Sequence, residues 1–133
     1  MNPYEQKVHA FHAATEVAND RPFTVALLEL RKTLIGEEVK ELFAELDRAI
    51  AELKAGGDVS KKTKLDMMKE IADVQYVLSG TSCTFGLPID KVFDRVHDSN
   101  MSKLDDNGKP IRREDGKVLK GPNYHPPVLD DLI

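Results

Sequence analysis

The residues best suited to chemistry in this sequence are acidic, and they recur at helical spacing. Leu27, Leu30 and Leu34 begin an apolar line, at steps of three and four, that continues into glutamates: Glu38, Glu41 and Glu45, with Glu37 one step aside. Residues at such steps share one face of a helix. An apolar face is normally covered by neighbouring helices, so we expect the carboxylates that extend it to lie in a cleft.

A second acidic set follows further along the chain. Asp66, Glu70 and Asp73 share a stripe with Val77, again at steps of three and four. Between the two sets lies a Gly-Gly turn, which predicts an antiparallel hairpin of helices. At the rise of a helix, the chain descends roughly 21 Å from Glu41 to the turn and climbs roughly 15 Å back to Glu70. The two acidic sets are therefore expected at about the same level.

Converging carboxylates repel one another, on the order of several kcal/mol, unless a cation lies between them. Oxygen ligands favour magnesium, with manganese as a substitute, over zinc, and magnesium commonly recruits substrate phosphates. One alternative is that these glutamates form a solvated face, paired with Lys40 and Arg48. A di-iron bundle would need paired Glu-x-x-His elements, to which Asp94 and His97 are the nearest approach.

Start and stop signals predict the helices that position these groups. Four helices are expected, over about 2–19, 24–55 and 60–86 and from Pro88 to about residue 104, with 24–55 as one long helix or two nearly continuous ones. The third should bury a stripe of Leu65, Met68, Ile71, Ala72, Gln75 and Leu78. Beyond Leu104, turn signals predict an irregular arm with at most one short hairpin. The fold class is therefore all-α and four-helix-bundle-like, with residues 1–104 as the helical domain and 105–133 as its arm.

Composition excludes several classes of protein. A chain of 133 residues suits one domain, and a net charge of -4 argues against a nucleic-acid binder. The only cysteine, Cys83, allows no disulfide and is expected to be a buried, inert thiol. Without a leader or a long apolar run, we expect a soluble, cytoplasmic protein with no membrane partner. Basic residues are concentrated in the tail. An acidic middle segment and a basic tail are suited to binding a metal ion and a phosphate group, respectively.

The two acidic motifs resemble a known family. Glu37-Glu38-Val39-Lys40-Glu41 and Glu70-Ile71-Ala72-Asp73 are similar to the E-E-x-x-E and E-x-x-D motifs of the MazG-like all-α nucleotide pyrophosphohydrolases. Their superfamily also contains dimeric dUTPases and phosphoribosyl-ATP pyrophosphohydrolase. The similarity continues through Asn100 and Lys103 into the basic tail and covers nearly the whole chain.

The resemblance implies roles for individual residues. Glu38, Glu41, Glu70 and Asp73 would hold magnesium ions, and Glu37 would position or deprotonate water. His12 would contact the base or ribose, although a surface histidine is an equally ordinary explanation. The implied reaction converts a (deoxy)nucleoside triphosphate into the monophosphate and pyrophosphate, by attack of metal-activated water on the α-phosphorus.

The basic and amide groups near the end of the chain are the remaining candidates. Ile89, Val92 and Val96 form an apolar line whose next two places are Asn100 and Lys103, so both are expected to point inward, where a lysine needs an anion. In the arm, we expect Lys117, Lys120 and Tyr124 to close over phosphates and base; a solvated basic tail explains them as well.

Enzymatic hydrolysis of a nucleoside triphosphate is thus the leading hypothesis. A non-catalytic helical dimerisation or adaptor protein and a phosphoribosyl-ATP pyrophosphohydrolase are the alternatives, and the base stays open. Besides the line from Leu27 to Leu34, the same long helix has a second apolar seam, which consists of Ile35, Val39, Leu42, Leu46, Ile50 and Leu53. The two seams predict a homodimer or homotetramer, because one chain cannot readily cover both.

Overall fold

The computed structural model describes residues 1–133, and helices dominate it. In chain order these are α1 (Pro3–Ala14), α2 (Val25–Lys54), α3 (Lys61–Phe85) and α4 (Ile89–Met101), followed by strands β1 (Ile111–Arg112) and β2 (Val118–Leu119) and a 3₁₀ turn over Asp130–Leu132. The predicted all-α fold with an irregular arm is confirmed. Two compact units divide the chain, Met1–Leu87 and Pro88–Ile133. None of the helices has the length and apolarity needed to cross a membrane.

Helix α1 begins where the sequence predicts but ends earlier. The Asn2 side chain accepts from the Glu5 N–H while the Glu5 carboxylate accepts from the Asn2 N–H, a complete capping box. The helix stops at Ala14, so the predicted end near residue 19 is wrong. Glu16 adopts a left-handed φ of 60°, and the N–H of Val17 turns back to the carbonyl of His12. The periodicity of apolar residues along the sequence does not predict such a turn.

Helices α2 and α3 form the predicted antiparallel hairpin. Thr24 and Ser60 cap their N-termini through their hydroxyl groups, as Thr and Ser commonly do. Gly56 turns the chain with a φ of 88°. α2 runs without a break through Gly36, and α3 ends at a left-handed Gly86. The predicted bounds of both helices are confirmed to within a residue or so.

Side-chain contacts set the register of the hairpin. Near the turn, the Thr63 hydroxyl donates to Glu52 Oε1 at 3.1 Å. At the far end, Arg31 Nη2 donates to the Val77 carbonyl at 2.8 Å. As α2 residue numbers fall, the α3 partners rise, which is the geometry required to bring the two acidic sets together.

The core of the first unit is small. Its buried apolar residues are Val8, Ala49, Cys83 and Phe85. The stripe predicted to be buried on α3 is instead exposed: Met68 is 62% exposed, and Leu65, Ile71, Ala72, Gln75 and Leu78 are also exposed. That prediction is wrong for the single chain, because α1 and α2 cover the other sides of α3. Cys83 is buried with its thiol against the Glu5 carbonyl, and burial raises its pKa, as expected of an inert thiol.

In the second unit the arm is tied to α4. Arg95 binds Asp131 through both of its terminal nitrogens, with Nη2 at 2.9 Å from Oδ2. The Ser99 hydroxyl donates to the His125 carbonyl at 2.7 Å. β1 and β2 pair antiparallel, Ile111 opposite Leu119, and form the one hairpin predicted for the arm.

Candidate metal centre

The hairpin brings four carboxylates of the two acidic motifs together. Glu38 and Glu41 on α2 and Glu70 and Asp73 on α3 each offer one oxygen, and these oxygens all lie within 4.8 Å of one another. Glu38, Glu70 and Asp73 are half-buried and Glu41 is exposed. These are the residues that the sequence predicts as metal ligands, and the geometry places them in one cluster, which we call the carboxylate cluster.

Burial and mutual repulsion disfavour the charged forms of two members. Burial raises the pKa of Glu38, and the negative charge of Glu41 raises it further. Burial also raises the pKa of Glu70, although Lys69 opposes the change. An added positive charge would relieve both effects.

One cation is already partly engaged at the edge of the carboxylate cluster. Lys69 Nζ lies 2.6 Å from Asp73 Oδ2 and 3.6 Å from Glu70 Oε1. Its side chain is 67% exposed, so the lysine neutralises the cluster from the solvent side only. The inner oxygens, Oε2 of Glu38 and Oε2 of Glu70, are buried and accept no hydrogen bond.

The residues present fit a hard divalent cation. All four groups are carboxylates, the ligand type of magnesium and manganese. Opposite ligands of one magnesium ion lie about 4.2 Å apart, twice a bond of about 2.1 Å, which is close to the spread of the carboxylate cluster. Buried oxygens without partners are costly unless something binds them. The site therefore suits magnesium by charge, chemistry and size.

Comparison with protein families gives a match that includes both acidic motifs. Residues 7–100 match the phosphoribosyl-ATP pyrophosphohydrolase family. The chain belongs to this family. The match supports nucleotide pyrophosphohydrolase activity, and it favours the phosphoribosyl-ATP alternative over the general triphosphate hypothesis. Comparison with curated proteins gives no match.

Other acidic residues of this pyrophosphohydrolase lie apart from the four. Glu37 is exposed and does not join the carboxylate cluster. Asp66 pairs with Lys62 at 2.6 Å, a hydrogen bond that lowers its pKa, and also approaches Arg48 at 3.4 Å. Glu45 contacts Arg48 at 3.3 Å. Salt bridges of this kind were expected of a solvated acidic face. Glu45 and Asp66 form them outside the carboxylate cluster, and Lys69 forms them with two members of the cluster.

His12 is buried rather than on the surface. It lines a cavity of about 260 Å³ together with Phe11, Leu30, Arg31, Leu34 and Tyr76. His9, one turn earlier, instead approaches Asp20 at 3.1 Å.

Arg31 is a buried residue of the pyrophosphohydrolase that sequence reasoning missed. It is 4% exposed and lines the same cavity as His12. A single basic residue among apolar ones predicts a side chain that is exposed on the surface of an amphipathic helix. The only signal in the sequence is its spacing, since Arg31 lies four residues after Leu27 and three before Leu34 and so shares their face of the helix.

The predicted substrate-binding residues of the second unit are placed as follows. Asn100 is exposed, so the expectation that it points inward is not met in the single chain, whereas Lys103 is half-buried just beyond the end of α4. In the arm, Lys117 is exposed and Lys120 Nζ stands 4.8 Å from the ring centre of Tyr124. Their binding roles stay predictions.

Proposed function

We propose that this chain hydrolyses the bond between the α- and β-phosphates of a nucleotide 5′-triphosphate, releasing a monophosphate and pyrophosphate, with phosphoribosyl-ATP as the substrate. The observation that carries the proposal is the carboxylate cluster, whose four oxygens lie within 4.8 Å of one another inside the region that matches the family. Such a cluster has no evident purpose in a helical adaptor, for which acidic side chains would stay solvated.

Each residue has a task in this reaction. Glu38, Glu41, Glu70 and Asp73 would hold magnesium. When bound, magnesium supplies positive charge to phosphoryl oxygens and lowers the pKa of water. Glu37, exposed one step from the carboxylate cluster, would accept the proton of the attacking water. The water oxygen bonds to the α-phosphorus and the bridging oxygen leaves with pyrophosphate. No covalent enzyme intermediate is required.

The family match is the reason to prefer phosphoribosyl-ATP over an unmodified nucleoside triphosphate. Both carry the same 5′-triphosphate, so the carboxylate cluster can serve either. What separates them is a second phosphoribose on the base. The substrate is therefore decided by groups that contact base and sugar rather than by the metal ligands.

Released pyrophosphate, measured over a panel of substrates, tests the proposal. Phosphoribosyl-ATP, ATP and the common ribo- and deoxyribonucleoside triphosphates are compared at equal concentration with magnesium, and we expect the highest kcat/KM for phosphoribosyl-ATP. Calorimetry with magnesium and a non-hydrolysable triphosphate tests the adaptor alternative, since an adaptor should bind neither.

Hydrolysis in oxygen-labelled water tests the point of attack. We expect the label on the monophosphate, read by mass spectrometry. Label in pyrophosphate or free orthophosphate, with none in the monophosphate, would overturn attack at the α-phosphorus even if the metal ligands are right.

A further inference from the structure

The cavity beside the carboxylate cluster contains a buried cation that has no acidic partner. Arg31 donates from Nη2 to the Val77 carbonyl at 2.8 Å and from Nε to the Thr81 hydroxyl at 3.2 Å. Both acceptors are uncharged, and burial lowers the pKa of the guanidinium. A guanidinium has five N–H donors, so these two bonds leave the others without a hydrogen-bond partner in the structure. Buried charges are usually paired, which makes Arg31 an unusual group to retain.

His12 presents an acceptor to the same region. The Nδ2 amide of Asn19 donates to the His9 carbonyl at 3.0 Å, which turns its Oδ1 towards His12. His12 Nδ1 lies 3.1 Å from that oxygen and 3.2 Å from the Ala18 carbonyl, so Nδ1 carries the proton. Burial lowers the pKa of His12 and favours its neutral form. Nε2 is then an acceptor.

Gly80 on α3 allows the two groups to meet. A Cβ atom at this position would overlap Arg31 Nη2 and would lie 3.2 Å from His12 Nε2. A glycine inside a helix normally costs stability relative to alanine. Here the absence of a Cβ leaves room for a donor from α2 and an acceptor from α1, both against the same glycine.

The position of the cavity relates it to the proposed reaction. Leu34 lines it one turn before Glu38 on α2, and Val77 lines it one turn after Asp73 on α3. One turn is about 5.4 Å. A triphosphate bound at the carboxylate cluster would therefore place its nucleoside in or near this cavity, where the Phe11 and Tyr76 rings supply apolar surface suited to a base.

We propose that Arg31 is a specificity-determining residue that reads the base, donating to N7 of adenine while His12 Nε2 accepts from the N6 amino group. The inference rests on the proposed function for its substrate class. The N6–N7 edge is the edge that stays free when N1 carries a second ribose. The apolar lining of the cavity favours a base over a phosphate as its occupant.

Calorimetry with magnesium and three non-hydrolysable α,β-methylene triphosphates tests this inference. The probes carry adenosine, 7-deazaadenosine and ribose without a base. For the wild-type chain we expect the 7-deaza probe to bind about tenfold more weakly than the adenosine probe, because it lacks the N7 acceptor. Equal binding of these two probes would overturn the inference, and this result needs no variant.

Two variants separate reading of the base from packing of α2 on α3. Arg31→Gln is expected to weaken the adenosine probe about tenfold to a hundredfold and the base-free probe by less than about threefold. Thr81→Val is the matched control, since it removes the acceptor of Nε and keeps the guanidinium; all probes should bind as in the wild type. Circular dichroism and melting curves check that both variants fold.

Each contrary result has a distinct meaning. Equal losses for the adenosine and base-free probes would make Arg31 a packing residue only. A loss for phosphoribosyl-ATP alone would assign Arg31 to the second phosphate. Either result overturns base reading while leaving pyrophosphate release intact. Conversely, Arg31-dependent binding of the adenosine probe without any pyrophosphate release would contradict the proposed function and leave the inference standing.

Discussion

A carboxylate oxygen of Glu41 on α2 lies within 4.8 Å of one of Asp73 on α3. Both residues stand on helices that meet only because the chain reverses at Gly56. Neither side chain is part of the small apolar core. Their proximity therefore serves charge rather than packing.

The first prediction follows from that relationship. Glu41→Gln and Asp73→Asn should each lower turnover by orders of magnitude while circular dichroism stays unchanged, because each removes a proposed metal ligand and no packing. Asp47→Asn, at an exposed position of α2, is the matched control and should retain full activity. Near-normal rates for either ligand variant at saturating magnesium would refute the metal-site assignment.

Glu38→Gln should change stability in opposite directions with and without magnesium. The pKa of Glu38 is raised by burial and by Glu41, so its ionised form costs stability above its ordinary pKa of 4.5, and this cost grows as the pH rises through the raised folded value. At pH 7.5 and without metal, the variant should therefore melt a few degrees higher than the wild type. In a domain of this size, each kcal/mol of added stability raises the melting temperature by about 2–8 °C.

With magnesium the order should reverse, since only the wild type retains the full site and gains stability from binding. Differential scanning calorimetry with magnesium and then with excess chelator gives both comparisons. An equal magnesium-dependent rise in the two proteins would show that Glu38 is not a ligand.

Lys103→Ala is expected to weaken binding of a triphosphate more than that of the nucleoside. A charged hydrogen bond to phosphate contributes about 1.5–3 kcal/mol, or about tenfold to a hundredfold in affinity. Lys109→Ala, on the exposed part of the arm, is the matched control. Equal losses for nucleoside and triphosphate would mean that Lys103 only supports the fold.

Asn100→Ala is expected to lower the rate, through lost orientation of phosphate or metal, with little change in the affinity for nucleoside. Steady-state kinetics distinguishes the two effects. Because Asn100 is exposed in the single chain, its removal should leave the melting temperature unchanged. An unchanged rate would remove it from the site.

Oligomerisation is predicted by the amount of apolar surface that one chain leaves uncovered. Leu53 on α2 is 53% exposed, and Met68 on α3 is 62% exposed. Contiguous exposed apolar surface usually marks an interface. We expect light scattering to give at least a dimer at micromolar concentration, and Met68→Glu to weaken it; Lys64→Glu, one turn earlier, should not. A stable wild-type monomer would contradict the prediction.

The pH dependence of stability should report on His12. Burial lowers its pKa, so its neutral form contributes stability that is complete above the ordinary pKa of 6.5 and is lost as the pH falls below it. Lowering the pH from 7.5 to 5.5 should therefore lower the melting temperature of the wild type relative to that of His12→Gln, whose side chain does not titrate. Comparing the two proteins cancels the opposite effect of Glu38 and Glu70, whose raised pKa values favour stability at the lower pH in both. Melting curves of the two proteins with the same pH dependence would show that His12 is not the cause.

Local rules of the sequence were enough for much of the fold. Thr24 and Ser60 predict where helices begin, because their hydroxyl groups accept hydrogen bonds from free backbone N–H groups. Gly56 and Gly86 predict where helices end, because glycine tolerates a left-handed backbone. Helical spacing alone also put Glu38 and Glu41 level with Glu70 and Asp73, since a hairpin of regular helices leaves little freedom in register.

Only the tertiary structure decided which faces are covered and which lone groups meet. The helical spacing of the apolar stripe around Met68 predicts that it is buried. Its actual exposure depends on how many neighbouring helices one chain provides. The early end of α1 depends on the chain turning back at Glu16. The meeting of Arg31, His12 and Gly80 joins three helices through contacts remote in sequence. Spacing along one helix carries no information about such contacts, because packing between helices determines them.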